Sequence, residues 1–134
     1  MKIHPSLTIF VLLAFLCGTS CNKTKLYPVS ENSRTIKYVL YTNKDFTDNN
    51  NNIKFSLFMR NHTKVLLDTE LATMKIKEIP NADNKIIIEK AVPDNENSDI
   101  SVGFHYSIEG VGNSQHLDII KAGETFKVVD FAFQ

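Results

Sequence analysis

Cysteine is nearly absent from this chain: Cys17 and Cys21 lie close together near the N-terminus, and none follows. A downstream domain without cysteine has no internal disulfide and no thiolate metal site, so its core must hold it. Tryptophan is missing altogether. The antibody-type sandwich, with a buried tryptophan against a cysteine pair, is therefore excluded. An excess of one charge is missing too, with 15 Lys and Arg against 15 Asp and Glu. No basic patch stands out, which removes nucleic acid as an expected partner. No nucleophile elbow, phosphate loop, HExxH motif or cysteine-metal spacing occurs. The expectation is a protein that is not an enzyme and needs no cofactor.

What the chain does have begins at its first residues. Met1-Lys2-Ile3-His4 carries one positive charge, and residues 7–16 (LTIFVLLAFL) are apolar except Thr8. Small residues follow at Gly18-Thr19-Ser20, directly before Cys21. Charge, apolar run and small residues in that order form an export signal over residues 1–20. The run is shorter than the roughly 20 residues that span a bilayer. Cys17 follows the bulky Phe15 and Leu16, so Cys21 is the residue a signal peptidase would expose.

Residues 16–21, with the signal before them, resemble the lipobox of bacterial lipoproteins. The usual box has leucine three residues before the cysteine, where this chain has Gly18. The resemblance implies cleavage before Cys21, acylation of Cys21 and a membrane anchor through that lipid. One acyl chain binds a membrane marginally, and two or more hold it firmly. Asn22 is not the aspartate that retains enteric lipoproteins at the inner membrane, so the implied destination is the outer membrane. Residues 21–33 are polar and contain Pro28, which reads as the lipidated end and a flexible tether. Removing Lys2 with the signal leaves 14 basic against 15 acidic residues in the mature chain.

From residue 34 the apolar period is two, the period of strands. The segment 53–60 is the cleanest case: Ile53, Phe55, Leu57 and Met59 face one way, and Lys54, Ser56 and Arg60 the other. Similar alternation predicts strands at 34–42, 63–68, 74–79, 85–92, 100–108, 117–121 and 125–133. Turn signals separate them, among them Pro93-Asp94-Asn95 and the glycine-rich 110–114. Residues 68–76 also fit helical spacing through Leu67, Leu71 and Met74, so a short helix or a crossover between sheets stays open there. The domain of residues 34–134 is expected to be an all-β antiparallel sandwich of about seven to eight strands, immunoglobulin-like or transthyretin-like.

Two loops are rich in Asn and Asp, at 43–52 and 94–99. Oxygen-rich loops can hold a hard cation such as Ca²⁺, but the second has Asp99 where an EF-hand needs its turn glycine. Such residues also build turns through their own side chains, and no metal site is assigned. The loops are instead candidate partner-binding elements, through Asn49, Asn50, Asn51, Asn52, Asp94, Glu96 and Asp99. If every predicted strand reverses direction, both loops share the pole opposite the tether. On that reading, deleting 49–52 leaves folding intact and weakens partner binding.

His116 and Asp118 share one strand face and read as a surface pair. His105 faces away from Phe104 and Tyr106 and should be exposed. Gly103 interrupts a good strand, which suggests a bulge or a close backbone approach. The last segment, with Val129, Phe131 and Phe133 on one face, is expected to close the core as an interior strand. The function expected is a non-catalytic envelope lipoprotein that binds a protein or glycan partner. The alternative is a structural subunit of an envelope or secretion complex, and a hydrolase or other enzyme stands third.

Overall fold

A computed structural model of the protein describes residues 33–93 and 97–134. The export signal, Cys21 and the expected tether as far as residue 32 lie outside the described residues, as do Asp94 and Glu96; Ser33 already belongs to the first strand. Eight strands follow in order: β1 (Ser33–Thr42), β2 (Asn52–Arg60), β3 (Val65–Glu70), β4 (Met74–Lys75), β5 (Ile86–Pro93), β6 (Ile100–Ile108), β7 (Gly112–Ile120) and β8 (Phe126–Phe133). A single 3-10 turn, Ile76–Glu78, separates β4 from β5. The strands form two sheets, β5-β1-β8 and β3-β2-β6-β7, with β4 also paired to β2. The expected all-β sandwich is the fold observed.

The period-two pattern does the work. On β2, Ile53, Phe55, Leu57 and Met59 are fully buried, because alternate side chains leave opposite faces of a strand. They meet Ile36, Tyr38 and Leu40 of β1 and Val129 and Phe133 of β8 in one core. Aromatic edges meet faces at its centre: Tyr38 and Phe104 cross at 84° with ring centroids 5.5 Å apart. The Tyr38 hydroxyl reaches across the layers and donates to the Phe58 carbonyl of β2 at 2.8 Å. That bond ties the two sheets where a buried hydroxyl without a partner would cost about 1–3 kcal/mol.

The sequence missed three features of the topology. Residues 68–76 form neither a helix nor a crossover. β3 and β4 run the same way along one edge of β2, Ser56 opposite Glu70 and Ile53 opposite Met74. They are two pieces of one interrupted strand, and the chain crosses to the other sheet only after the 3-10 turn. The eight strands therefore make seven traverses of the sandwich. An odd number of traverses leaves the first and last strands pointing the same way, so β1 and β8 pair in parallel, Tyr38 opposite Val129. The third feature is the place of β8, which pairs only with β1 and is an edge strand, not an interior one. It still closes the core, with Val129 and Phe133 buried.

Candidate interaction surfaces

The traverse count moves the two Asx-rich loops apart. Loop 43–51 leaves β1 at its Thr42 end, the distal pole. The 94–99 segment follows β5, whose Pro93 lies opposite Ser33, so it sits at the N-terminal pole. The shared-pole expectation fails because β3 and β4 count as one traverse.

At the N-terminal pole Asp99 is already engaged. Its carboxylate accepts from Lys121 Nζ at 2.9 Å and from the Ala122 N–H at 2.9 Å. The Lys121 hydrogen bond, followed by that from Ala122, lowers the pKa of the Asp99 carboxyl. Asp99 thus staples the β5–β6 connection to the β7–β8 connection. Beside it the fully buried Arg34 donates from Nη1 to the Ser98 carbonyl at 2.6 Å. The sequence marked Arg34 only as the start of the domain. Its inward position on β1, alternating with Thr35 and in step with Ile36, was the available signal.

At the distal pole, loop 43–51 surrounds an open depression of about 650 Å³. The base of the loop is built into the fold. The Asn49 carbonyl accepts from Lys77 N–H at 3.2 Å, and the Asn51 carbonyl from Ile76 N–H at 3.0 Å. Asn52 belongs to β2, where its carbonyl accepts from Glu109 N–H at 3.0 Å and its side chain donates to Glu109 at 2.7 Å. Phe46 packs on Phe133 with centroids 5.5 Å apart. Deleting 49–52 would therefore damage the fold, contrary to the sequence expectation. The side chains of Asp48, Asn50 and Asn51 remain exposed and carry the donors and acceptors this pole can offer.

The outer face of the β3-β2-β6-β7 sheet holds a shallow polar groove of about 410 Å³, lined by Lys54, Ser56, Glu70, His105, Ser107 and Asn113 among others. Lys54 and Glu70 pair across it at 2.6 Å. His105 does face away from the core, but it is half-buried, its ring 4.3 Å from that of Phe58. Arg60 covers the same ring at 5.4 Å, so Phe58 is buried although it lies on the outer face.

His116 and Asp118 point inward, not outward, at the side where β7 and β8 face each other. His116 stacks on Phe131 at 4.7 Å and 12°, and Asp118 pairs with Lys127 at 3.2 Å. They seal the gap between the sheets. Behind them Gly103 makes the close approach that its strand position suggested: a Cβ there would lie 1.9 Å from the His116 carbonyl oxygen. Among the described residues no three His, Cys, Asp or Glu side chains converge as a metal site. Comparison of the chain with protein-family models, with curated proteins and with solved structures finds no match.

Proposed function

We propose that the protein is a non-catalytic envelope lipoprotein, anchored through Cys21, whose β domain binds a protein or glycan partner at its distal pole. The observation that supports this is the placement of loop 43–51 at the end of β1 opposite Ser33. A chain held at Cys21 enters the domain at Ser33, so the loop with exposed Asp48, Asn50 and Asn51 is the end farthest along β1 from the anchor. Amide and carboxylate groups on a well-braced loop suit the hydroxyls of a glycan or the backbone of a protein. The export signal and the lipobox-like Gly18-Thr19-Ser20-Cys21 support secretion and attachment, with the outer membrane as destination.

Two measurements test the parts separately. Metabolic labelling with palmitate should mark the wild type and not Cys21→Ala; equal labelling of both refutes the anchor. A photo-crosslinking residue placed at Asn50 should give a discrete adduct in intact cells, and one at the exposed Lys64 of the N-terminal pole should not. Adducts from both positions, or from neither, refute binding at the distal pole.

A further inference from the structure

The two lateral sides of the sandwich are treated differently. An edge strand presents unpaired N–H and C=O groups, and proteins blunt such edges with short strands, bulges, charges and proline. On one side those devices are present. β3 has 6 residues and β4 has 2, the β2–β3 register breaks at Met59/Arg60, and β5 carries Glu89 and Lys90 and ends at Pro93. On the other side β7 and β8 run unbroken for 9 and 8 residues. Their charges have neighbours within the chain: Asp118 and Lys127 pair with each other, and Asp130 lies beside the Tyr41 hydroxyl, whose pKa it raises. Of seven large apolar side chains exposed among the described residues, four (Leu117, Ile119, Phe126 and Val128) lie on these two strands.

We propose that this side is an interface with a second copy of the same chain, β7 pairing with β7 and β8 with β8 of the partner. A two-fold axis perpendicular to the sheets makes both pairings antiparallel and extends both sheets at once. The Asp118–Lys127 contact sets Leu117 level with Val128, and the His116–Phe131 contact sets it level with Asp130, so one axis can pass within about one residue of both Leu117 and Val128. Each then meets its own copy. Asp118 comes opposite the partner's His116, Lys127 opposite the partner's Val129 and Phe126 opposite the partner's Asp130. No like charges oppose.

The size is adequate. The 9 residues of β7 at about 3.4 Å each make a contact about 30 Å long, and two sheets about 10 Å apart with flanking side chains make it about 20–25 Å wide. That gives about 600–750 Å² per partner, at the low end of specific dimers. A heterologous strand could dock on one open edge, whereas a second copy supplies two edges at the matching separation by symmetry. This interface is independent of the distal loop.

The test uses the mature chain from Asn22 onward, made without lipid. Sedimentation should give twice the mass of the chain. Leu117→Lys with Val128→Lys, both at positions 42% exposed, should halve that mass and leave the circular dichroism spectrum unchanged. Ile87→Lys, on the opposite side, should leave the dimer intact. Val128→Cys should oxidise to a linked dimer, since cross-strand Cα separations of about 4.5–5.5 Å suit a disulfide, while Ile87→Cys should not. A wild-type monomer at all soluble concentrations, a double-lysine variant that remains a dimer, dissociation by Ile87→Lys, or failure of Val128→Cys to link would each overturn the proposal.

Discussion

Gly103→Ala should be among the most damaging single-methyl changes in the domain. Intrinsic preference argues the other way, since glycine within a strand costs about 0.5–1 kcal/mol relative to alanine. Packing reverses the sign. The added Cβ would lie 1.9 Å from the His116 carbonyl oxygen, 3.0 Å from its carbon and 3.2 Å from Leu117 Cα. All three are backbone atoms, so no side chain can rotate away. An ordinary carbon–oxygen contact needs about 3.3 Å, so β6 and β7 must part locally by about 1.4 Å. Ladder bonds of about 2.9 Å do not survive that displacement. Losing about three of them at about 1 kcal/mol each, with disturbed packing of His116 on Phe131, gives about 3–5 kcal/mol. Domains of this size have about 5–15 kcal/mol in all, and the midpoint should fall by about 15–30 °C. Urea unfolding of Gly103→Ala against Ser107→Ala, an exposed position on the same strand, measures it. The serine variant should stay within about 0.5 kcal/mol of wild type. Hydrogen exchange should show the loss concentrated on β7. A Gly103→Ala protein within about 1 kcal/mol of wild type would refute the close approach.

Three further outcomes follow from other contacts. Tyr38→Phe keeps the ring and removes the inter-sheet bond to Phe58, so chemical denaturation should show a loss of about 1 kcal/mol. The Asp99 carboxyl is held below its ordinary value of 3.8, first by the Lys121 hydrogen bond and then by that of Ala122. Its contribution is present above the unfolded pKa and lost as pH falls through the folded one; the stability gap between wild type and Asp99→Asn should shrink below about pH 4, and a gap that widened in acid would contradict the sign. Deleting residues 49–52 removes the acceptors for Ile76, Lys77 and Glu109 N–H, and thermal unfolding should show a loss of about 3 kcal/mol or more.

The strands were legible where one face is core and the other solvent. β2 and β6 show this best, because period-two alternation records burial directly. The sheet order was not legible, because it depends on which edges meet. No local pattern in 68–76 says that β3 and β4 continue one another along β2; only the pairing of Ile53 with Met74 and Ser56 with Glu70 does. That one joint reversed the placement of loop 94–99. The start of β7 was hidden for a similar reason. Gly112, Asn113 and Ser114 are turn residues by composition, yet pairing with Ile108, Ser107 and Tyr106 holds them extended. Among the candidate site residues, Asn50 and Asn51 stayed exposed, while Asp99 became a staple and His116 an interior stack. A side chain's availability depends on what lies across from it, which its own sequence neighbourhood does not record.

The proposed anchor and the proposed dimer constrain one another. An axis perpendicular to the sheets makes the partner strands antiparallel, so the two Ser33 residues sit at opposite ends of the dimer. The ends of β1, with its 10 residues, are about 30 Å apart. A dimer anchored by both chains to one membrane brings both Ser33 residues equally close to it when its strands lie along the membrane plane. The twelve residues from Asn22 to Ser33 can span at most about 40 Å, enough for each chain to reach the surface beneath it. In that arrangement each loop 43–51 opens sideways at one end of the dimer, next to the partner's N-terminal pole. A monomer could instead stand with the loop pointing away from the membrane. The loop is clear of the bilayer in both cases. What dimerisation would change is the number of loops and their direction: two binding ends facing opposite ways along the surface, in place of one facing outward.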